Sequence, residues 1–122
     1  MTPRLPPDAI RLKRVYDPPA PDDGTRVLVD RLWPRGIRRE AAAIDRWDRE
    51  VAPSTELRKW VHEDPDRFEA FRERYAKELR TRGPELEALR DLARRGTLTL
   101  VFAARDPLRN NAAVLRDILL QV

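Results

Sequence analysis

At the carboxyl ends of two apolar runs arginine stands beside aspartate: Asp30-Arg31, followed by Trp33, Arg35 and Gly36, and Arg105-Asp106, followed by Asn110 and Asn111. A guanidinium fork grips a carboxylate or phosphate through two parallel hydrogen bonds, and a nearby aspartate can orient that fork or take up a proton. The chemistry these spacings suggest is an anion-binding crevice. Arg31, Arg35 and Arg105 would hold the anion, with Asp30 as orienting group or candidate catalytic base. Asp106 and Asn110 would shape the start of a helix, and Trp33 would wall the site or simply pack. The plainer alternative is that Arg–Asp pairs only close loops at strand ends, since ion-pair networks also form without function.

Other chemistries find few residues to carry them. The chain has no cysteine, which excludes disulfides, thiolate metal sites and a thiol nucleophile. Ser54 is the single serine and His62 the single histidine. On one helix they would stand roughly 12 Å apart at 1.5 Å per residue, too far for a dyad. A metal would need carboxylates alone. Asp64, Asp66 and Glu69 could supply them, yet they read more simply as acids in the first turn of a helix. Four glycines make neither a GxxxxGK nor a GxGxxG loop, so no nucleotide cofactor is called for and none is expected.

Charge points the same way, with a qualification. The 25 cations against 21 acids leave +4, and all but Lys13, Lys59 and Lys77 are arginine, a skew that GC-rich codon usage produces without selection for binding. The excess is local: residues 26–39 carry Arg26, Arg31, Arg35, Arg38 and Arg39 against Asp30 alone. Were that segment an exposed stripe with Trp33 inside it, the chain would read as a nucleic-acid or protein-binding module. The favoured partner is instead a small anionic molecule, because Val27 to Val29 and Trp33 look like sheet core. No run of 18 apolar residues exists and the N-terminus lacks an apolar signal core, so a cytoplasmic, membrane-free protein is expected.

The elements that must position these residues follow from periodicity and breakers. A length of 122 residues suits one domain. Residues 1–9, with three prolines, read as a loose arm, leaving 10–122 as a single α/β unit. Ile10–Asp17 suits a first strand ending at Pro18, and Arg26–Leu32 a second that stops at Pro34. Arg38–Ala43 suits a short helix, and Ile44–Val51 a third strand. Ser54 opens a helix as N-cap, Asp64-Pro65 opens another carrying Phe68, Phe71, Tyr75 and Leu79, and Leu86, Leu89 and Leu92 mark a third that ends at Gly96 as a C′ glycine. Thr97–Ala104, uncharged and apolar, is a strand buried on both faces. Asp106-Pro107, with Asn110 as rival N-cap, starts the last helix. This order predicts a small layered α/β fold with a mostly parallel sheet of three to four strands flanked by helices, whose ligand crevice lies beyond the carboxyl ends of the strands.

Several of these segments are also similar to a known family. Arg14-Val15-Tyr16-Asp17, the run Val29-Asp30-Arg31-Leu32-Trp33-Pro34-Arg35-Gly36, Ala52-Pro53-Ser54 with Glu56-Leu57-Arg58-Lys59, Arg74-Tyr75 with Glu78-Leu79, and Ala104-Arg105-Asp106 with Asn110 resemble the YeaO-like bacterial proteins, domain of unknown function 488. The resemblance spans about Ile10 to Leu120 and implies a small α/β domain without naming a reaction. Some wider relatives carry cysteine and histidine after the last strand. Here Asn110 and Asn111 stand in that region, so thiol chemistry does not carry over. Labels of transcriptional regulator or tetrapyrrole methyltransferase attach to such sequences, but neither a helix-turn-helix pattern nor a methyl-donor glycine loop is present.

Overall fold

A computed structural model describes residues 5–121. Four strands, β1 (Ile10–Arg14), β2 (Thr25–Leu28), β3 (Arg46–Trp47) and β4 (Leu98–Phe102), form one all-parallel sheet in the order β1-β4-β2-β3. The most apolar strand, last in sequence, thus lies inside, with Leu100 between Leu12 and Val27. Alternation along the strands divides the core in two. Val27, Val29, Leu98, Leu100 and Phe102 face the main core, whereas Leu28 and Val101 face a smaller cluster on the opposite side.

The main face is covered by α2 (Thr55–Glu63), α3 (Phe68–Leu79), α4 (Gly83–Arg95) and α5 (Asn111–Leu120). Their buried stripes include the expected Phe71, Tyr75, Leu79, Leu86 and Leu89. Only α1 (Arg39–Ala42) and the loops around it cover the other face, where Trp33, Ile37, Ile44 and Trp47 pack on Leu28 and Val101. None of the described helices is long and apolar enough to cross a membrane.

Element ends depart from expectation for identifiable reasons. β1 stops at Arg14 because Asp17 donates its amide to the Arg14 carbonyl and turns the chain. β2 stops at Leu28, although the Val29 amide still reaches Val101, because the chain bends away from β4 at Asp30. The expected third strand shrinks to Arg46–Trp47, since Arg49–Val51 curl into a 3-10 turn. Gly96 is extended at φ 170°, not a left-handed C′ glycine. The last helix starts at Asn110 and not at Asp106-Pro107, because the Asp106 carboxylate accepts from the Leu108 and Arg109 amides and closes a tight turn ahead of it.

The described part of the expected arm, residues 5–9, is docked. Leu5 is buried in the main core, and Arg116 of α5 donates to the carbonyls of Pro7 and Ile10 at 2.7 Å. Residues 1–4 of that arm lie outside the described residues.

A candidate site at the divergence of two strands

β2 and β4 are neighbours, and the connections leaving their carboxyl ends go to opposite faces: β2 runs into α1 on the minor face, β4 into α5 on the main face. Such a divergence opens a crevice between two adjacent parallel strands, the place where α/β sheets take ligands. Here the crevice is bridged by protein. Asp30 Oδ2 accepts the Ala103 amide at 2.9 Å, and Oδ1 accepts Asn111 Nδ2 at 3.2 Å. Asn111 Nδ2 also lies 3.1 Å from the Val29 carbonyl. One carboxylate therefore ties the exit of β2 to the exit of β4 and to the first turn of α5. Burial raises its pKa above the ordinary aspartate value, opposed by the Ala103 and Asn111 bonds and by the positive charge of Arg58.

Asn110 is buried and acts as the N-cap of α5: its Oδ1 accepts the Ala113 amide at 2.8 Å while Nδ2 donates to the Asp106 carbonyl. Its side chain is thus committed to the loop. The amide bonds from Leu108 and Arg109 lower the Asp106 pKa below its usual value.

The arginines do not converge on this crevice. Arg31 turns toward the chain entering α2, where Nε and Nη2 donate to the carbonyls of Pro53 and Ala52 at 3.2 and 3.3 Å. It lines a hollow of about 370 Å³ with Glu50, Ser54, Glu78 and Arg82 among its walls. Neither Asp30 with Arg31 nor Arg105 with Asp106 forms an ion pair. Arg105 is exposed on the loop after β4 and lies outside the hollow's lining, and Arg35 is exposed on the loop after β2. Trp33 packs: its indole N–H donates to the Ile37 carbonyl at 2.7 Å, its ring meets Trp47 edge-on at 5.5 Å, and Arg39 stacks over it at 4.6 Å.

The walls of the Arg31 hollow are themselves tightly held. Glu78 of α3 accepts from both the Ser54 amide and hydroxyl, at 2.8 and 2.6 Å, while Ser54 Oγ caps α2 at the Leu57 amide. Beneath them the fully buried Tyr75 hydroxyl donates to the Val51 carbonyl, and burial pushes that phenol's pKa up. Sequence reading identified Ser54 as a cap but missed Glu78 and Arg82 as its neighbours, because no local pattern announces a contact between α3 and the chain entering α2. Arg58 likewise escaped notice, though the VAPS-to-ELRK run containing it was among the conspicuous segments.

The basic segment 26–39 is not a continuous exposed stripe. Arg26 is buried, bound to Asp23 at 2.7 Å and to the carbonyls of Ala42 and Ala43 at 2.9 and 3.1 Å. Arg31 is held as described, and Arg39 lies over the tryptophans. Arg35 and Arg38 are left exposed without such partners among the described residues.

Residues 9–122 match the family model described as the inactive DUF488-N3 subclade. The uncharacterised protein YeaO of Escherichia coli (strain K12) is 48% identical over 108 residues, covering 88% of this chain and 94% of that protein. The uncharacterised protein Rv3073c of Mycobacterium tuberculosis (strain H37Rv) is 47% identical over 110 residues, covering 90% and 92%. No solved structure matches the chain.

Proposed function

The chain belongs to the inactive DUF488-N3 subclade, and from that premise we propose that it works by binding and not by catalysis, taking a small phosphorylated or carboxylated molecule in the hollow beside Arg31. The residue best placed for proton transfer, Asp30, directs both carboxylate oxygens at protein donors, so it acts as a bridge across the strand divergence. The observation that carries the binding proposal is the state of Arg31. Two of its N–H groups meet backbone carbonyls, its remaining donors have no protein acceptor among the described residues, and its side chain lines the hollow. A guanidinium anchored along one edge is pre-oriented along the other, which lowers the ordering cost of gripping an anion. Arg82 adds a second cation to the wall, partly balanced by Glu50 at 3.3 Å. Glu78 is turned toward Ser54, which donates to both its oxygens, and its negative charge stays in the wall opposite the two arginines. The volume of about 370 Å³ suits a metabolite-sized ligand.

Titration of the protein with inorganic phosphate and with citrate, followed by amide chemical shifts, tests this reading. Saturable shifts at the Arg31, Ala52 and Ser54 amides are expected. Arg31→Lys keeps the charge but loses the planar fork, and should weaken binding about tenfold or more, as befits a bidentate contact. Shifts that never saturate, or that survive Arg31→Lys unchanged, overturn the proposal.

A further inference from the structure

Three large apolar side chains are exposed among the described residues, Tyr16, Leu32 and Leu108 at 44, 61 and 79%. Each lies on the loop that leaves the carboxyl end of a different strand, and those strands, β1, β2 and β4, are consecutive neighbours in the sheet. Parallel pairing sets adjacent strands about 4.8 Å apart, so the three loops emerge side by side along one rim. The rim is stitched into a single platform. Arg14 Nε donates to the Ala104 carbonyl at 2.8 Å, joining the exits of β1 and β4; the Ala103 amide donates to Asp30, joining β4 and β2; and the Tyr16 hydroxyl donates to the Arg35 carbonyl at 3.2 Å, joining β1 and β2.

The exposed charge on these loops is positive in balance. Arg35, Arg105 and Arg109 are exposed, and none has an acidic partner within ion-pair distance among the described residues. Some arginines elsewhere on the surface are ion-paired, as in Arg72–Asp117, Arg82–Glu50 and Arg94–Glu87, whereas Arg49, Arg74, Arg80 and Arg95 are exposed without an acidic partner among the described residues, as the rim arginines are. Of the rim's acids Asp30 is turned inward, while Asp17 and Asp106 are exposed carboxylates, so Arg35, Arg105 and Arg109 leave the rim with a small positive excess.

We propose that this rim docks an acidic protein segment bearing apolar side chains, with Leu32, Leu108 and Tyr16 as the apolar contacts and Arg35, Arg105 and Arg109 meeting its carboxylates. Charge complementarity selects the acidic partner. The leucines select protein over nucleic acid, since an aliphatic side chain gains affinity only where the partner offers apolar surface, while a phosphate backbone rewards the arginines alone.

The test uses two labelled peptides of equal length and charge, one of glutamate and leucine, the other of glutamate and serine, beside a labelled single-stranded oligodeoxynucleotide of the same charge. Fluorescence polarisation should show the glutamate–leucine peptide bound about tenfold or more tightly than its serine counterpart, the increment expected from burying one leucine. Leu32→Ser with Leu108→Ser should abolish that preference with an unchanged unfolding midpoint, and Arg105→Ala with Arg109→Ala should weaken both peptides. Arg31→Lys should leave peptide binding intact, which separates this rim from the phosphate hollow. Equal affinity for the two peptides, absence of binding by the glutamate–leucine peptide, or equal or tighter binding of the oligonucleotide each overturns the proposal.

Discussion

Arg26 and Arg31 belong to the same strand and its exit, each has an aspartate near it in sequence, and the fold uses them in opposite ways. Arg26 points to the minor face of the sheet. There Asp23 accepts from it at 2.7 Å and from Lys13 at 3.1 Å through each oxygen, while Thr99 Oγ1 donates to the Asp23 carbonyl. The arginine's other nitrogens hold Ala42 and Ala43, and the latter is left-handed at φ 50°, an unfavourable conformation for a residue with a Cβ. Every charge there is answered, so the cluster fixes structure. Around Arg31 the charges are separated: the aspartate went to amides, the arginine to carbonyls, and donors remain. The difference teaches that arginine next to aspartate says little about function, and that unspent hydrogen-bonding capacity beside a hollow says more.

Breaking the first cluster should have the largest effect. Arg26→Ala leaves the buried Asp23 with Lys13 as its remaining cationic partner and leaves the Ala42 and Ala43 carbonyls without the guanidinium, so chemical denaturation should record a loss of about 3–5 kcal/mol. Asp30→Ala comes next, because it leaves the Ala103 amide without an acceptor and Asn111 Nδ2 with the Val29 carbonyl alone, with an expected loss of about 2–3 kcal/mol by the same measurement. Arg31→Ala should cost only about 1 kcal/mol, the scale of two long bonds to carbonyls, while abolishing phosphate-induced shifts. A loss as large as that of Arg26→Ala would erase the distinction between the two arginines and make Arg31 structural.

Acid sharpens the contrast with smaller effects of opposite sign. Burial alone would raise the Asp23 pKa, but the bonds from the Ala20 amide, Lys13 and Arg26 outweigh it and hold the carboxyl below the ordinary aspartate value. Its contribution is present above the unfolded pKa and is lost as pH falls through the folded one. Asp30 is raised from 3.8, so its contribution is fully present below that value and is lost as pH climbs through the folded pKa. Stability measured from about pH 3 to pH 7 should therefore show the deficit of Asp23→Asn growing with pH and that of Asp30→Asn shrinking. Parallel trends in the two variants would contradict the assigned shifts.

The helices were the most legible part of the chain. Ser54 before Thr55 and the aromatic spacing of α3 are local signals, and each is where the structure uses it. The candidate site was legible only as an address. Asp30 stands at the divergence of β2 and β4, and of the six residues named with it, Trp33 and Asn110 serve packing and capping, Asp106 closes a turn, Arg35 and Arg105 stand on the rim, and Arg31 alone lines the hollow. No spacing along the chain encodes which way a guanidinium turns once a bend such as that at Asp30 has occurred.

The sequence by itself determined the α/β class, the apolar central strand and the family membership, because alternation, caps and the VDRLWPRG run are properties of neighbouring residues. Tertiary structure decided which charges pair. The last strand inserts between the first two, so Thr99 meets Asp23, Ala103 meets Asp30 and Asn111 reaches across the divergence, contacts between residues more than seventy positions apart. Only the closed sheet brings those groups within hydrogen-bond distance, and hydrogen bonds, unlike apolar burial, demand particular partners at particular angles.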